Sequence, residues 1–342
     1  MSNFDEALHP RDAGKFATKD GSAPEAILTA PVAAPELIFE GVTWDLRLKA
    51  AKALRTKPDA FAELADDEVQ RVRYEVANNK KTPADVLDHL ADDVDGSVRA
   101  TVAVNANTTA ETMHRLASDD DVRVRQHVAK SQAAPADVLH AFAQGPDSTI
   151  RELVASNEAS DENTLLLLAV DEDVWVQRLV PDNASATANV MRFMADSPDW
   201  IVRLRVARNT NTAVDLIDNL STDPHEQVRR AVAGNLLTSA GILEQLSTDA
   251  SSDVRENVAS NSRTPAAALA TLSRDADDFV RSHVSRHKST PPEALAYLAG
   301  DSHVGIRRTL ERRGVTLSEP RDGTVVEPSR SERIEIIVLG RP

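Results

Sequence analysis

Two ladders of charge and a scatter of histidines are what this sequence offers to chemistry. Arginine recurs as Arg73, Arg99, Arg125, Arg151, Arg203, Arg229, Arg255, Arg281 and Arg307. Each guanidinium carries a fixed fork of donors that matches carboxylate or phosphate, so a row of them could line an anion-binding groove. Acidic clusters alternate with the arginines: Asp92-Asp93-Asp95, Asp119-Asp120-Asp121, Asp171-Glu172-Asp173, Asp223, Asp249 and Asp275-Asp277-Asp278. A row of carboxylates could draw a basic partner or hold Ca²⁺, but the D-x-D-x-D-G loop with its distal Glu is absent. The nine histidines, among them His89, His114, His127, His140, His225 and His283, are scattered along the chain. There is no G-x-S-x-G elbow and no glycine-rich phosphate loop. With no cysteine, thiol catalysis, disulfides and sulfur-ligated metals are excluded. The reading is of a non-enzyme, with no catalytic, cofactor-binding or metal-ligating residues.

The spacing of the charges says what must position them. The arginines sit in Val-Arg pairs: Val72-Arg73, Val98-Arg99, Val124-Arg125, Ile150-Arg151 and so on to Ile306-Arg307, with successive starts 98 − 72 = 26 residues apart. A fixed period of this size marks a solenoid, whose units bury their apolar faces against one another. Four residues after each opening Val comes another, from Val76 through Val284, usually followed by Ala. That pair makes a narrow apolar stripe on one short helix. Asn follows at Asn79, Asn105, Asn157, Asn183, Asn209, Asn235 and Asn261. It reads as a helix stop, because Asn tolerates the left-handed conformation that closes a helix. Thr82-Pro83, Thr264-Pro265 and Thr290-Pro291 then read as the start of a second helix, Thr capping through its hydroxyl and Pro taking the first helical position. Leu87/Leu90, Leu243/Leu246, Leu269/Leu272 and Leu295/Leu298 supply its apolar face. About eight residues is marginal for a free α-helix, which admits a 3₁₀ turn for one of the two. On this reading a feature shared by nearly every unit serves stacking. The arginines lay their stems along the core and reach the acidic turns or helix-end carbonyls, and the acids cap helix starts.

The stretch VRENVASNSRTPAAALATLSRD, from Val254, resembles the leucine-rich repeat variant family, whose pattern is V-R-x-x-V-A-x-N-x-x-T-P-x-x-x-L-x-x-L-A-x-D. The resemblance extends over roughly residues 46–313. It implies an all-α, right-handed α-solenoid of about ten 26-residue repeats, each a pair of α and 3₁₀ helices. The spacing here is slightly longer than the family's usual one, the extra residues falling in the acidic turn. The cysteine-ligated iron–sulfur domain of some members has no counterpart, since there is no Cys.

The formal charge of −15 disfavours a phosphate backbone as a general partner, and no apolar run is long enough to span a membrane. The charged N-terminus argues for the cytoplasm. Residues 1–36 read as a disordered leader, in which HPRDAGKFATKDG resembles a leader of actinobacterial and phage proteins. Residues 37–71 read as a cap and degenerate first repeat, with Leu37-Ile38-Phe39 and Trp44 covering the open end of the array. The array proper spans 72–313. Residues 314–342 read as a linker and tail with a strand at 333–340.

Recognition is expected where one unit departs from the rest, and that is residues 150–201. Gln177 replaces the Arg, Pro181 replaces the Ala, Asp161 and Thr187 stand where Pro is expected, and Trp175 and Trp200 are added at the turns of neighbouring repeats. Tryptophan is enriched at interface hot spots. Trp175, Gln177, Pro181 and Trp200 are therefore the expected contacts of a protein partner, with Pro181 bending its helix and leaving helix-end groups free. The function expected is a non-enzymatic protein-binding scaffold. The alternatives are a nucleic-acid-binding or base-acting repeat protein, or a structural spacer in a phage or mobile-element assembly.

Overall fold

A computed structural model describes residues 38–53 and 57–321. The chain divides into Met1–Glu40, of which only 38–40 are described, and Gly41–Pro342. The second unit is an all-α solenoid, and no strand occurs among the described residues. The expected strand at 333–340 and the leader lie outside them. No described helix is long and apolar enough to cross a membrane.

Each repeat is two short helices. The first helices include Gln70–Asn78, Gly96–Val104, Val122–Lys130, Trp200–Arg208, Glu226–Gly234 and Ser252–Ser260. The second include Ala84–Leu90, Ala110–Leu116, Val214–Leu220 and Ala266–Leu272. First helices pack on first helices of the flanking repeats, and second on second. The paired valines and their alanines, such as Val98, Val102 and Ala103, are sealed from solvent, as are Leu87 and Leu90. Each buried Val or Leu contributes about 1.5–3 kcal/mol, and small Ala at the contact lets backbones approach.

Three expectations about the helix ends are corrected. The second helices are α rather than 3₁₀, shown by bonds such as Leu87 N–H to the Pro83 carbonyl and Ala91 N–H to that of Leu87. Seven residues suffice because both ends are held. The second helix starts just after the Thr-Pro position: Pro83 itself is the extended residue before Ala84, and where Pro is missing, Thr109, Asp161, Thr187 and Ser239 cap with their side chains. Asp161 and Thr187 are thus ordinary helix starts. The Thr before this position does not cap. The Thr108 and Thr212 hydroxyls each donate 2.6 Å back to the valine carbonyl six residues earlier.

The Asn stops are not left-handed either. Asn79, Asn105, Asn235 and Asn261 sit near φ −75° with ψ around 125°, extended backbone open to any residue. Their side chains reach into the preceding repeat. Asn105 Nδ2 donates to the carbonyls of Ala77 (2.7 Å) and Asn79 (3.0 Å), and Asn157, Asn183 and Asn261 repeat the pattern. These carbonyls lie at the end of the neighbouring first helix, where no intrahelical donor remains. At two positions where Asn is replaced the bond survives: His287 Nε2 meets the Asn261 carbonyl at 3.0 Å, and Arg313 Nη1 donates to those of Ser285 and His287.

The last first-helix, Val304–Arg312, does end in a left-handed residue, Gly314 at φ +73°, with Val315 N–H bonding the Leu310 carbonyl. From there residues 314–321, expected as linker, run back over the final repeat. Ser318 N–H bonds Ala299 and Arg321 N–H bonds Gly300, while the Arg321 guanidinium lies 3.8 Å over the Tyr297 ring. At the other end Trp44 stays 53% exposed, Ile38 is exposed as well, and Leu37 lies outside the described residues, so Trp44 does not seal the array.

Candidate functional site

The turns joining each second helix to the next first helix form one edge of the array, and both charge ladders lie on it. Their arithmetic is regular. The Arg of one repeat pairs with the Asp twenty residues later: Arg73 Nε and Nη2 donate to the two oxygens of Asp93 at 2.6 and 3.0 Å. Its Nη1 donates to the Asp67 carbonyl at 2.8 Å, six residues earlier. The same forked pairing joins Arg47–Asp67, Arg99–Asp119, Arg151–Asp171, Arg203–Asp223, Arg229–Asp249, Arg255–Asp275 and Arg281–Asp301. Each of these Asp residues also accepts the N–H two residues on, as Asp119 does from Asp121. A rung therefore ties two successive turns and the helix starts that follow them, which is the stacking role. The second Asp of the turn caps the following helix, as with Asp95, Asp121, Asp173 and Asp199.

The hydrogen bonds from Arg99 hold the Asp119 carboxyl below its usual value. At Asp223 and Asp249 burial pushes upward, but the Arg203 or Arg229 guanidinium and a backbone N–H outweigh it, and the net direction is down. Carboxyls lowered by folding stabilise the native state above the unfolded value near 3.8, and that contribution is lost as pH falls through the folded value. The urea midpoint should accordingly hold steady at neutral pH and drop once pH falls below about 4. A midpoint unchanged down to about pH 2 would exclude the ladder as a source of stability.

The four residues expected to meet a partner are not equivalent. Trp175 is 61% exposed, with the Arg178 guanidinium 4.7 Å over its ring, and Arg178 Nε is anchored by Asp199 at 2.6 Å. Trp200 is half-buried and stacks flat on His225, ring centroids 3.8 Å apart with 4° between planes. Both are first-turn residues of adjacent first helices, Val174–Leu179 and Trp200–Arg208, that pack together. Gln177 is half-buried and takes the rung position, its amide donating 2.6 Å to the Asp171 carbonyl; Ser197 stands opposite in place of Asp. Pro181 is buried inside the array. Lacking an N–H, it converts the end of its helix to a 3₁₀ turn, Val180–Asp182. The Pro181 carbonyl is itself occupied, accepting from Asn209 Nδ2 at 2.6 Å, and Asn183 keeps its usual bonds.

The neighbours that hold the indoles, Arg178 and His225, were not evident from the sequence. Both are off-pattern residues near a tryptophan, which is the signal that could have found them. A depression of about 620 Å³ is lined by Arg192, Pro198, Leu216, Asn219 and Pro224, with neither Trp200 nor His225 in its wall. Among the described residues no cluster of three or more His, Asp or Glu could hold a metal ion.

The family described as leucine rich repeat variant matches at residues 253–277. A solved structure described as a leucine-rich repeat variant with a novel repetitive protein structural motif is 25% identical. That match covers 62% of this chain and 84% of that one, with a TM-score of 0.46. The YibA protein of E. coli is 15% identical over 64% of this chain and 96% of its own, with a TM-score of 0.36. Computationally designed armadillo repeat proteins for modular peptide recognition are 12% identical over 78% of this chain and 90% of theirs, with a TM-score of 0.12. No curated protein matches the chain.

Proposed function

We propose that the protein is a non-enzymatic scaffold that binds a protein partner through the turn edge at Trp175 and Trp200. The observation that carries this reading is the exposed Trp175 indole, held in place by Arg178 and Asp199 rather than folded onto the core. A large apolar ring fixed before binding loses little conformational entropy when it is covered, which is what a hot spot requires. Trp200, stiffened by His225, supplies a second ring one repeat on. The turn edge beside Trp175 carries the exposed Glu172, so the partner segment that suits it combines an aliphatic or aromatic side chain with a basic flank. Most guanidiniums of the ladder are already neutralised by carboxylates, which argues against a groove for nucleic-acid phosphates.

The test is affinity capture from the native host with the wild-type chain and with Trp175→Ala/Trp200→Ala, followed by titration of the captured partner. Two hot-spot tryptophans at about 2 kcal/mol each imply a loss of affinity of roughly a thousandfold, with far-UV circular dichroism unchanged. A partner retained by the double variant would place the binding surface elsewhere.

A further inference from the structure

Among the described rungs of the ladder, one is mismatched. At Arg125 the position twenty residues on is Gly145, and the acid has no counterpart. We propose that the Arg125 rung is a binding site for a carboxylate supplied from outside the repeat array.

The guanidinium is held as in the paired rungs. Its Nη1 donates to the carbonyls of Asp119 (2.6 Å) and Asp120 (3.1 Å), just as Arg229 Nη1 donates to those of Asp223 and Pro224. In the paired rungs Nε and Nη2 then meet two carboxylate oxygens, while at Arg125 neither has an acceptor among the described residues. The nearby acids are committed. Asp119 pairs with Arg99, Asp121 pairs with Arg123 and caps its helix, and Asp147 accepts from the N–H groups of Thr149 and Ile150. No ion pair joins Arg125 to the exposed Asp120.

Loss of a rung has a neutral form in this same chain, where Gln177 faces Ser197 and both charges are gone. At Arg125 only the acid is gone, leaving a half-buried, oriented, cationic fork. Such a fork recovers two charge-assisted hydrogen bonds by accepting a planar carboxylate. The ligand class is thus a carboxylate, either free or on an acidic side chain of a peptide, and the site is independent of the tryptophan pair.

Gly145 also provides the control. Its φ is not in the left-handed region, and an added Cβ would lie 3.2 Å from the Phe142 carbonyl oxygen. The equivalent place in a later repeat carries Asp223 followed by Pro224, as Gly145 is followed by Pro146, so Gly145→Asp can complete the rung.

The experiment follows arginine Nε–H resonances of the ¹⁵N-labelled full chain, with the Arg125 signal assigned by its absence in Arg125→Lys. Titration with acetate should shift that signal saturably, with a Kd on the order of millimolar, while arginines already paired do not respond. In Gly145→Asp the signal should be displaced before any acetate is added, and the response weakened at least tenfold. A linear drift, an equal response from the paired arginines, or an undiminished response in Gly145→Asp would overturn the proposal. So would a response to inorganic phosphate with none to acetate. Should Gly145→Asp not fold, the contrast between Arg125 and the paired arginines of the wild type decides. An acetylated, amidated peptide whose single carboxylate is a Glu side chain separates the sources. Binding at least tenfold tighter than acetate assigns the site to an acidic segment, and equal or weaker binding assigns it to a free carboxylate.

Discussion

Asn261→Gly is expected to destabilise the array by about 2–3 kcal/mol, about as much as Asn261→Val. Asn261 is 4% exposed and makes three hydrogen bonds: Nδ2 to the carbonyls of Ala233 (2.8 Å) and Asn235 (3.0 Å), and Oδ1 from the Arg263 N–H (3.0 Å). Each bond is worth about 1 kcal/mol, and a buried carbonyl left without its donor costs about 1–3 kcal/mol. Glycine is the informative substitution. If Asn closed its helix in the left-handed region, Gly would serve equally well and only Val would be harmful. At φ −70° and ψ 120° both substitutions fit the backbone and both delete the same bridge to the preceding repeat. Urea melts of the two variants decide it, and a Gly variant as stable as the wild type would reject the bridging role.

Removing Arg151 should cost more still, about 3 kcal/mol or above. Its side chain is 6% exposed and that of Asp171 is 5% exposed, with Nε–Oδ2 and Nη2–Oδ1 distances of 2.7 and 3.0 Å. Arg151→Ala strands a buried carboxylate, and breaking a buried pair from one side typically costs about 3–5 kcal/mol. Two comparisons make the interpretation strict. Arg125→Ala strands no carboxylate and should cost only about 1 kcal/mol, for bonds to two carbonyls. The double variant Arg151→Gln/Asp171→Ser copies the Gln177–Ser197 rung and should recover much of the loss, because the unpaired charge is gone. Equal costs for Arg151→Ala and Arg125→Ala, measured by urea unfolding, would show that the carboxylate pairing adds nothing.

The sequence by itself determined the repeat and its core. The 26-residue recurrence of Val72, Val98 and Val124, the second valine four residues on, and the Leu87/Leu90 pair are local spacings. Burial of an apolar stripe is non-directional, so the spacing alone says which residues face inward. It also singled out Trp175 and Trp200 as departures, because a departure is visible wherever a pattern is. What a polar residue bonds to was decided only by the tertiary structure. Asn105 bridges to carbonyls 26 and 28 residues earlier and Arg99 meets an acid 20 residues later, and periodic letters do not say which copies come to lie side by side. For the same reason the structure separates Trp175, held open on the edge, from Pro181, packed inside, though both break the pattern within one repeat. Hydrogen bonds and ring contacts are directional. Their partners are fixed only when the stacking of one repeat on the next has set distance and angle together.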